Sequence, residues 1–183
     1  MKPRSRRICT MILAITIILS VFALNSNNLG KLAYPEHYEE QVYRYAGEYG
    51  VDPLLVFAII RAESKFFPYA NSTSGAKGLM QIMDITFEHA RSEVEFSEGS
   101  IYEPDVNVKA GCWYISKLSE EFSDERLVIA AYNAGPANVK KWLSDSSYSN
   151  GEGGLDSIPY PETSAYVERV MENYNKYKKI YKR

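Results

Sequence analysis

The sequence has 183 residues, enough for one domain with a short appendage, and its 45% hydrophobic and 24% charged residues are typical of a globular protein rather than a disordered one. Residues 1–30 contain four basic side chains and no acidic one, so the other 17 basic and 23 acidic residues give residues 31–183 a net charge of −6. This acidity disfavours a nucleic-acid partner.

The first 30 residues predict a segment that directs export. A positively charged stretch, 1–7, precedes an apolar run of 17 residues, 8–24. That length lies between a signal-peptide core and a membrane span. Basic residues before the run predict a cytoplasmic N-terminus and a domain on the outer side. We therefore expect residues 1–30 to be a signal anchor that holds the protein at the cell membrane, facing the cell wall, with a cleaved signal peptide and secretion as the alternative.

Residues 31–183 predict one all-α domain without an internal repeat. Asp52 followed by Pro53 predicts a helix start. Residues 54–60 are apolar on every side, which indicates a helix that is buried all round. The alternation of apolar and polar residues that is typical of β-strands does not continue for more than a few residues anywhere in the sequence. The predicted helices cover 36–49, 53–64, 76–83, 84–94, 105–122, 139–143 and 162–181. One further helix is capped by Asp124 and ends at 133–136. Residues 144–154 are predicted to form a loop.

The cysteine and histidine content disfavours cross-links and metal sites. Cys112 is the one cysteine in residues 31–183, so no internal disulfide can form there. His37 and His89 have no cysteine or histidine at ligand spacing. We expect no zinc site, no other metal and no cofactor.

Glu63 is the first candidate for chemistry. It shares a helix face with the apolar residues three, four and seven positions before it. Burial on that face disfavours the charged carboxylate, so we expect a raised pKa and a carboxyl group that can donate a proton to a leaving group. The alternative is a helix-end glutamate that reaches solvent or pairs with Arg61 or Lys65.

The segment 75–83 is the second candidate. It contains Gly75 and Gly78, which allow close backbone approach, and then Gln81 inside an apolar run. The amide of this glutamine needs a partner, for which a carboxyl group or a sugar amide is suitable. The alternative is a helix interrupted by glycine with a satisfied glutamine in the core.

The third candidate is the segment 131–136, where Tyr132 and Asn133 stand at a helix end before a glycine and a proline. Side chains at such an end readily face a cleft. The chain contains 15 tyrosines, which suits stacking on sugar rings, although tyrosine content alone is a weak signal.

Together these motifs resemble those of the soluble lytic transglycosylase domain, glycoside hydrolase family 23, over residues 35–180. The motifs in chain order are Glu63-Ser64; Ser72; Gly75-Ala76-x-Gly78-Leu79-Met80-Gln81-Ile82; Ala131-Tyr132-Asn133-Ala134-Gly135; Ile158-Pro159; and Glu162-Thr163-x-x-Tyr166-Val167. Asp84 departs from the family pattern, which usually has proline there. The resemblance implies a goose-type lysozyme-like fold, multi-helical with a substrate cleft, in residues 31–183.

The resemblance also implies a role for each matched residue. Glu63 is implied to be the single catalytic acid and base. Tyr132 and Asn133 are implied to lie beneath its carboxyl group, with the Tyr132 hydroxyl bonded to Glu63 or to the sugar. The positions implied to line the cleft and bind substrate are Ser72, Gln81, Met83, Tyr132, Asn133, Glu162 and Tyr166.

The implied substrate is the glycan strand of peptidoglycan, cut between N-acetylmuramic acid and N-acetylglucosamine. Ordinary glycosidases use two carboxyl groups, whereas Glu63 has no acidic companion in the matched motifs around it. This favours transglycosylation, in which the muramic C6 hydroxyl closes onto C1 and gives a 1,6-anhydro end. The alternatives are a lysozyme-like hydrolase that uses water and, less favoured, a wall-binding module without catalysis. No protein partner in the wall or in secretion machinery follows from the sequence.

Overall fold

The computed structural model describes residues 11–17, 20 and 29–181, and the regular secondary structure of these residues is helical, with no β-strand among them. This confirms the all-α prediction. Three isolated bridge pairs, Asn71–Lys77, Lys77–Ile82 and Ser149–Leu155, shape loops. The helices of eight or more residues within 29–181 are α1 (Glu39–Tyr49), α2 (Pro53–Glu63), α3 (Asp84–Glu93), α4 (Pro104–Glu121), α5 (Glu125–Ala134), α6 (Pro136–Leu143) and α7 (Pro161–Ile180).

Helix α2 is the central element. Residues 55–60 are buried, as the sequence predicts for a helix that is apolar all round. Its start is fixed by Asp52, whose side chain accepts a hydrogen bond from the Leu54 N–H at 2.8 Å, with Pro53 in the first turn. Helix α7 packs along α2 more extensively than any other helix does. The end of α2 is therefore held in place by the core.

The other helices surround this pair. Helix α5 packs on α6, α7 and α4, and α4 also packs on α1 and α3. Asp124 caps α5 as predicted, because its carboxylate accepts hydrogen bonds from the backbone N–H groups of Arg126 and Leu127. The C-terminal ends of α2 and α5 and the start of α7 belong to one packed unit that contains the motif residues.

One predicted helix is wrong. Residues 76–83 form a turn in which Lys77 and Ile82 exchange two backbone hydrogen bonds, of 3.0 and 2.9 Å. Gly78 and Gln81 lie in the left-handed region with φ of 80° and 50°, a conformation that cannot continue a right-handed helix. The apolar run that suggested a helix is buried for another reason, described below.

Two helix starts also differ from the prediction, while the other boundaries agree within two residues. The first helix begins at Glu39 instead of residue 36, and the short helix begins at Pro136 instead of residue 139. Proline fits the first turn of a helix because its missing N–H has no intrahelical partner there. Pro136, which was expected only to help end the preceding helix, is therefore also the first residue of α6.

The predicted signal anchor, residues 1–30, lies largely outside the described residues. Residues 11–17 and 20 are helical, and a short helical segment resumes at residues 29–33. Among the residues that the structure describes, no helix has both the length and the apolar character needed to cross a membrane.

Candidate active site

The carboxyl group of Glu63 stands at the C-terminal end of α2, largely buried. Its Oε1 accepts a hydrogen bond of 2.7 Å from the Tyr166 hydroxyl. Burial raises the pKa of Glu63 to about 7, against the opposing effects of the Tyr166 hydrogen bond and the Arg169 charge. A carboxyl group with this pKa is present in both protonation states near neutral pH, in agreement with the sequence-based expectation.

The alternative interpretation paired Glu63 with Arg61 or Lys65, and neither pair is found. The Arg61 guanidinium stacks on the Tyr34 ring, with Cζ 4.2 Å from the ring centroid. Lys65 is exposed in the turn after α2. Within the described part of the chain, no second carboxylate contributes to the pKa shift of Glu63. Burial, and not a neighbouring carboxylate, therefore accounts for the raised pKa of Glu63.

Two tyrosines face this acid, and they have different partners. Tyr166 of α7 is the residue that binds Glu63, whereas the Tyr132 hydroxyl of α5 donates to the Met80 carbonyl at 2.7 Å. The expected bond from Tyr132 to Glu63 is thus replaced by one to the turn. Burial, followed by the nearby charge of Glu63, raises the pKa of both tyrosines well above the usual value, so both hydroxyls remain protonated donors. Tyr166 is buried and reaches the acid rather than the open cleft.

Asn107 of α4 holds the turn at 77–82, and the sequence analysis missed it. Its Oδ1 accepts from the Met80 N–H at 2.8 Å, and its Nδ2 donates to the carbonyls of Lys77 and Ile101 at 3.0 and 2.8 Å. A Cβ on Gly78 would lie 2.2 Å from this Nδ2, which explains the glycine. The available signal was a polar residue between Val106 and Val108 in an apolar stretch.

Ser64 joins the end of α2 to the same turn. Its hydroxyl lies 2.7 Å from the Leu79 carbonyl, to which it donates, and accepts from the Phe66 N–H at 3.1 Å. Because Ser64 directly follows Glu63, this bond fixes the acid beside the turn. The Glu-Ser pair of the motif is therefore one structural unit.

The amide nitrogen of Gln81 has backbone partners, whereas the sequence suggested a carboxyl group or a sugar amide, with a satisfied glutamine as the alternative. Its Nε2 donates to the carbonyls of Ala70 and Gly78 at 3.1 and 2.9 Å. No hydrogen bond to its Oε1 is found among the described residues, which leaves that oxygen for a ligand. The amide is thereby oriented before any substrate arrives.

A cavity of about 280 Å³ brings together Gln81, Met83, Tyr132 and Asn133, all of which the sequence predicts to bind substrate. Tyr114 of α4 and the 79% exposed side chain of Ile85 complete its walls and were not predicted. Two larger concavities, of about 470 and 360 Å³, are lined by none of the predicted residues. The smaller cavity is the better candidate because it contains four predicted residues, and one of them, Tyr132, lies close enough to Glu63 for the charge of that carboxylate to raise its pKa.

Ser72 and Glu162 do not line the cavity, whereas Asn133 lines it and is also held by a neighbouring helix. Asn133 accepts a 2.8 Å hydrogen bond from the Thr163 hydroxyl and so ties the end of α5 to α7. Glu162 is exposed in the first turn of α7. Ser72 is exposed in a loop, where its hydroxyl accepts from the Ala76 N–H at 2.9 Å. The described structure gives neither Ser72 nor Glu162 a contact with Glu63.

The described residues offer no cluster of three or more histidine, cysteine, aspartate or glutamate side chains that could hold a metal ion. Cys112 is a free, buried thiol whose pKa burial raises. The chemistry available to this part of the chain is that of one carboxyl group, its tyrosine partner and a cleft with amide and aromatic walls.

Sequence comparison places this arrangement among known proteins. The family model described as "Transglycosylase SLT domain" matches residues 40–152. The soluble lytic murein transglycosylase of Salmonella typhimurium is 33% identical over 144 residues, which is 75% of this chain and 22% of that protein. The membrane-bound lytic murein transglycosylase C of Edwardsiella ictaluri is 31% identical over 193 residues, which covers 90% of this chain and 52% of that protein.

Solved structures give the same result for the fold. The 70 kDa soluble lytic transglycosylase of Escherichia coli superposes with a TM-score of 0.73 at 31% identity, covering 83% of this chain and 26% of that one. An inactive glutamate-to-glutamine mutant of the lytic transglycosylase Slt of Pseudomonas aeruginosa gives 0.71 at 32% identity, covering 82% and 25%. This chain spans about a quarter of the length of these soluble relatives and about half that of the membrane-bound one.

Proposed function

The chain belongs to the transglycosylase SLT domain family, and from that premise we propose that it is a peptidoglycan lytic transglycosylase. It cleaves the β-1,4 bond between N-acetylmuramic acid and N-acetylglucosamine and leaves 1,6-anhydromuramic ends. The observation that carries this proposal is the lone, largely buried Glu63 carboxyl group, whose pKa is raised to about 7 beside a cleft. Relatives named lytic murein transglycosylases support it.

Glu63 acts first as an acid and then as a base. Its proton passes to the glycosidic oxygen as the bond from that oxygen to muramic C1 breaks, and the substrate's own N-acetyl oxygen supports the cation at C1. The Glu63 carboxylate then takes the proton of the C6 hydroxyl as that oxygen bonds to C1. The carboxyl group is restored, and no water or cofactor is consumed. A pKa near the working pH suits both steps, and proximity favours the intramolecular hydroxyl over water.

The other site residues serve this reaction in different ways. Tyr166 is a positioning residue, because it binds Oε1 of Glu63 and helps to orient the carboxyl group. Gln81, Met83, Tyr132 and Asn133 contact the sugar through the cavity walls. Ser72 and Glu162 contact substrate farther along the cleft, a role that rests on the family motif alone.

Replacement of the acid tests the proposal. We expect Glu63→Gln to lower the rate of peptidoglycan solubilisation by roughly a thousandfold or more, because the amide can neither donate nor accept the proton. The inactive glutamate-to-glutamine mutant of the P. aeruginosa relative fits a single essential glutamate. The rate is measured as clearing of a suspension of purified cell walls.

The matched control is Glu88→Gln, the same change at an exposed glutamate on α3. It should retain wild-type activity. If Glu63→Gln were as active as this control, the assignment of the acid would be wrong.

We further propose that residues 1–30 anchor the protein in the cell membrane and that residues 31–183 form the catalytic domain facing the wall. The basic start and the apolar run at 8–24 support this, and relatives carry both soluble and membrane-bound names. We expect the full-length chain to sediment with membranes and to resist extraction by carbonate. Mature protein in the medium that begins near residues 26–30 would instead establish a cleaved signal peptide.

A further inference from the structure

Three aromatic side chains form an exposed patch outside the cavity described above. Phe67 and Tyr69 are 58% and 64% exposed, and Tyr102 is partly exposed beside them. The Phe67 and Tyr69 ring centroids are 6.1 Å apart, and those of Tyr69 and Tyr102 are 6.2 Å apart. Neighbouring exposed rings of this size are unusual on a soluble surface without a ligand, because they leave apolar area in water.

This aromatic patch is rigidly supported. The Tyr102 hydroxyl donates to the Asn71 side-chain oxygen at 2.5 Å, and the Asn71 amide donates to the Tyr69 carbonyl at 3.1 Å. The backbone of Phe67 is bonded back to Ser64 at 3.0 Å. The rings are therefore presented in a fixed order, and a ligand that stacks on them loses little binding energy to ordering of the protein.

Hydrogen bonds connect the loop that carries Phe67 and Tyr69 to the wall of the cleft. Ala70, between Tyr69 and Asn71, accepts hydrogen bonds from the Gln81 side chain at 3.1 Å and from the Gly78 N–H at 2.9 Å. Gln81 in turn lines the cavity, and the loop starts just after Glu63 and Ser64. Phe67 and Tyr69 are therefore within reach of an extended ligand that occupies the cleft.

The chemistry of the patch suits a polymer of sugar rings better than one of nucleic-acid bases. Tyrosine rings offer an apolar face with a hydroxyl at the edge, which matches the apolar C–H faces and polar rims of sugar rings. Platforms that stack nucleic-acid bases combine aromatic rings with a positively charged groove. Here residues 31–183 carry a net charge of −6, and Lys77 of the turn at 77–82 is paired with Asp84 at 2.7 Å.

We propose that Phe67, Tyr69 and Tyr102 form a saccharide-binding platform that extends the cleft and stacks on sugar rings of the glycan strand away from the bond that is cut. This proposal rests on the proposed function for the identity of the polymer. It implies that the chain binds long strands more tightly than short oligosaccharides, because only long strands reach both the cleft and the platform.

The test measures binding rather than cleavage. The full-length chain carrying Glu63→Gln is titrated calorimetrically with peptide-free glycan strands and, separately, with a tetrasaccharide. Adding Phe67→Ala and Tyr69→Ala together should weaken the binding of long strands roughly tenfold, as expected for the loss of two stacking contacts. Binding of the tetrasaccharide should change less than about twofold. Equal affinity of the parent and the variant for long strands would overturn the proposal.

Comparison of Tyr69→Phe with Tyr69→Leu separates ring stacking from general apolar contact. Tyr69→Phe keeps the ring and should bind strands like the parent, whereas Tyr69→Leu should bind as weakly as Tyr69→Ala. Leu32→Ala, which trims another exposed apolar side chain (79% exposed), should leave the affinity unchanged. If Tyr69→Leu bound as well as Tyr69→Phe, ring stacking would be excluded.

The remaining outcomes are also decisive. If the chain were a dimer that Tyr69→Ala converts to a monomer in light scattering, the patch would be a self-association surface and the proposal would fail. If the unmodified chain cut no peptidoglycan but still bound strands through the rings, the proposed function would fail and the platform would stand. Melting temperatures of all variants, whose changes lie on the surface, should match the parent.

Discussion

The pKa of Glu63 is set by opposing effects of its neighbours. Burial disfavours the carboxylate and raises the pKa, while the Tyr166 hydroxyl and the Arg169 guanidinium favour the carboxylate and lower it. Arg169 also lies over the Tyr166 ring, with Cζ 5.5 Å from the centroid, so the two groups that lower the pKa contact each other. The value of about 7 thus depends on α7 as much as on the helix that carries the acid.

Tyr166→Phe removes the hydrogen bond that favours the carboxylate. Since that bond lowers the pKa of Glu63, its loss should raise the pKa above about 7. A hydrogen bond to a charged group is worth about 1.5–3 kcal/mol, so the alkaline limb of the pH–rate profile should move up by about one to two pH units. The position of the alkaline limb is obtained from kcat/KM, measured on soluble glycan strands between pH 4 and 9.

The control is Tyr177→Phe on the same helix. Tyr177 is also buried, and its hydroxyl donates to the Pro35 carbonyl at 2.9 Å, so its removal costs similar stability without reaching Glu63. The pH profile of this variant should match that of the wild type. A Tyr166→Phe profile with an unmoved or lowered limb would contradict the assigned role of the hydroxyl.

The burial of Glu63 was predictable from the sequence, and the hydrogen-bond partner of its carboxyl group was not. Glu63 follows an apolar stripe on one helix face, and local spacing reveals that burial. The choice between Tyr132 and Tyr166 as its partner depends on how α5 and α7 meet α2, a contact that joins residues 103 positions apart. Sequence spacing within one helix contains no information about such a contact.

At the scale of elements, the turn at 77–82 is held in place by a side chain of another element, helix α4. Asn107 provides three hydrogen bonds to backbone groups, one to Met80 and one each to Lys77 and Ile101. The apolar run in the turn is buried because α4 covers it, not because the run is helical. A helix prediction over 76–83 fails here, since hydrophobic periodicity cannot distinguish a buried turn from a buried helix in so few residues.

Asn107→Ala should destabilise the domain by about 3 kcal/mol, because it leaves the buried Met80 N–H and the buried Ile101 carbonyl without their partner and removes one of the two hydrogen bonds to the Lys77 carbonyl. Urea unfolding followed by circular dichroism measures this change. Asn138→Ala, which loses one bond from its side chain to the Ala134 carbonyl at 2.7 Å, is the control and should cost about 1 kcal/mol or less. A cost for Asn107→Ala no larger than for Asn138→Ala would contradict the role assigned to Asn107.

At the scale of the whole molecule, the fold is held by its apolar core. Residues 31–183 contain Cys112 as their one cysteine, and it is buried and free. The all-α architecture was predictable because long periodic helices with clear caps at Asp52 and Asp124 dominate the chain. The cleft was not predictable in its details, since it forms where the turn at 77–82, the start of α3, the interior of α4 and the end of α5 meet.

A thiol reductant should therefore leave the stability of the protein unchanged. The melting temperature measured by scanning calorimetry should be the same, within about 1 °C, with and without millimolar dithiothreitol, because no internal disulfide constrains the domain. The Cys112 thiol should also react with a thiol reagent only on unfolding. A melting temperature several degrees lower under reducing conditions would show that a disulfide contributes.

The most direct test of the central claim is mass spectrometry of the fragments that the full-length chain releases from purified peptidoglycan. If Glu63 supports intramolecular attack by the C6 hydroxyl, the muropeptides are one water lighter than hydrolysis products and have no reducing end. The same fragments must be missing from digests made with Glu63→Gln. Fragments with ordinary reducing ends would contradict the account and identify a hydrolase that uses the same acid.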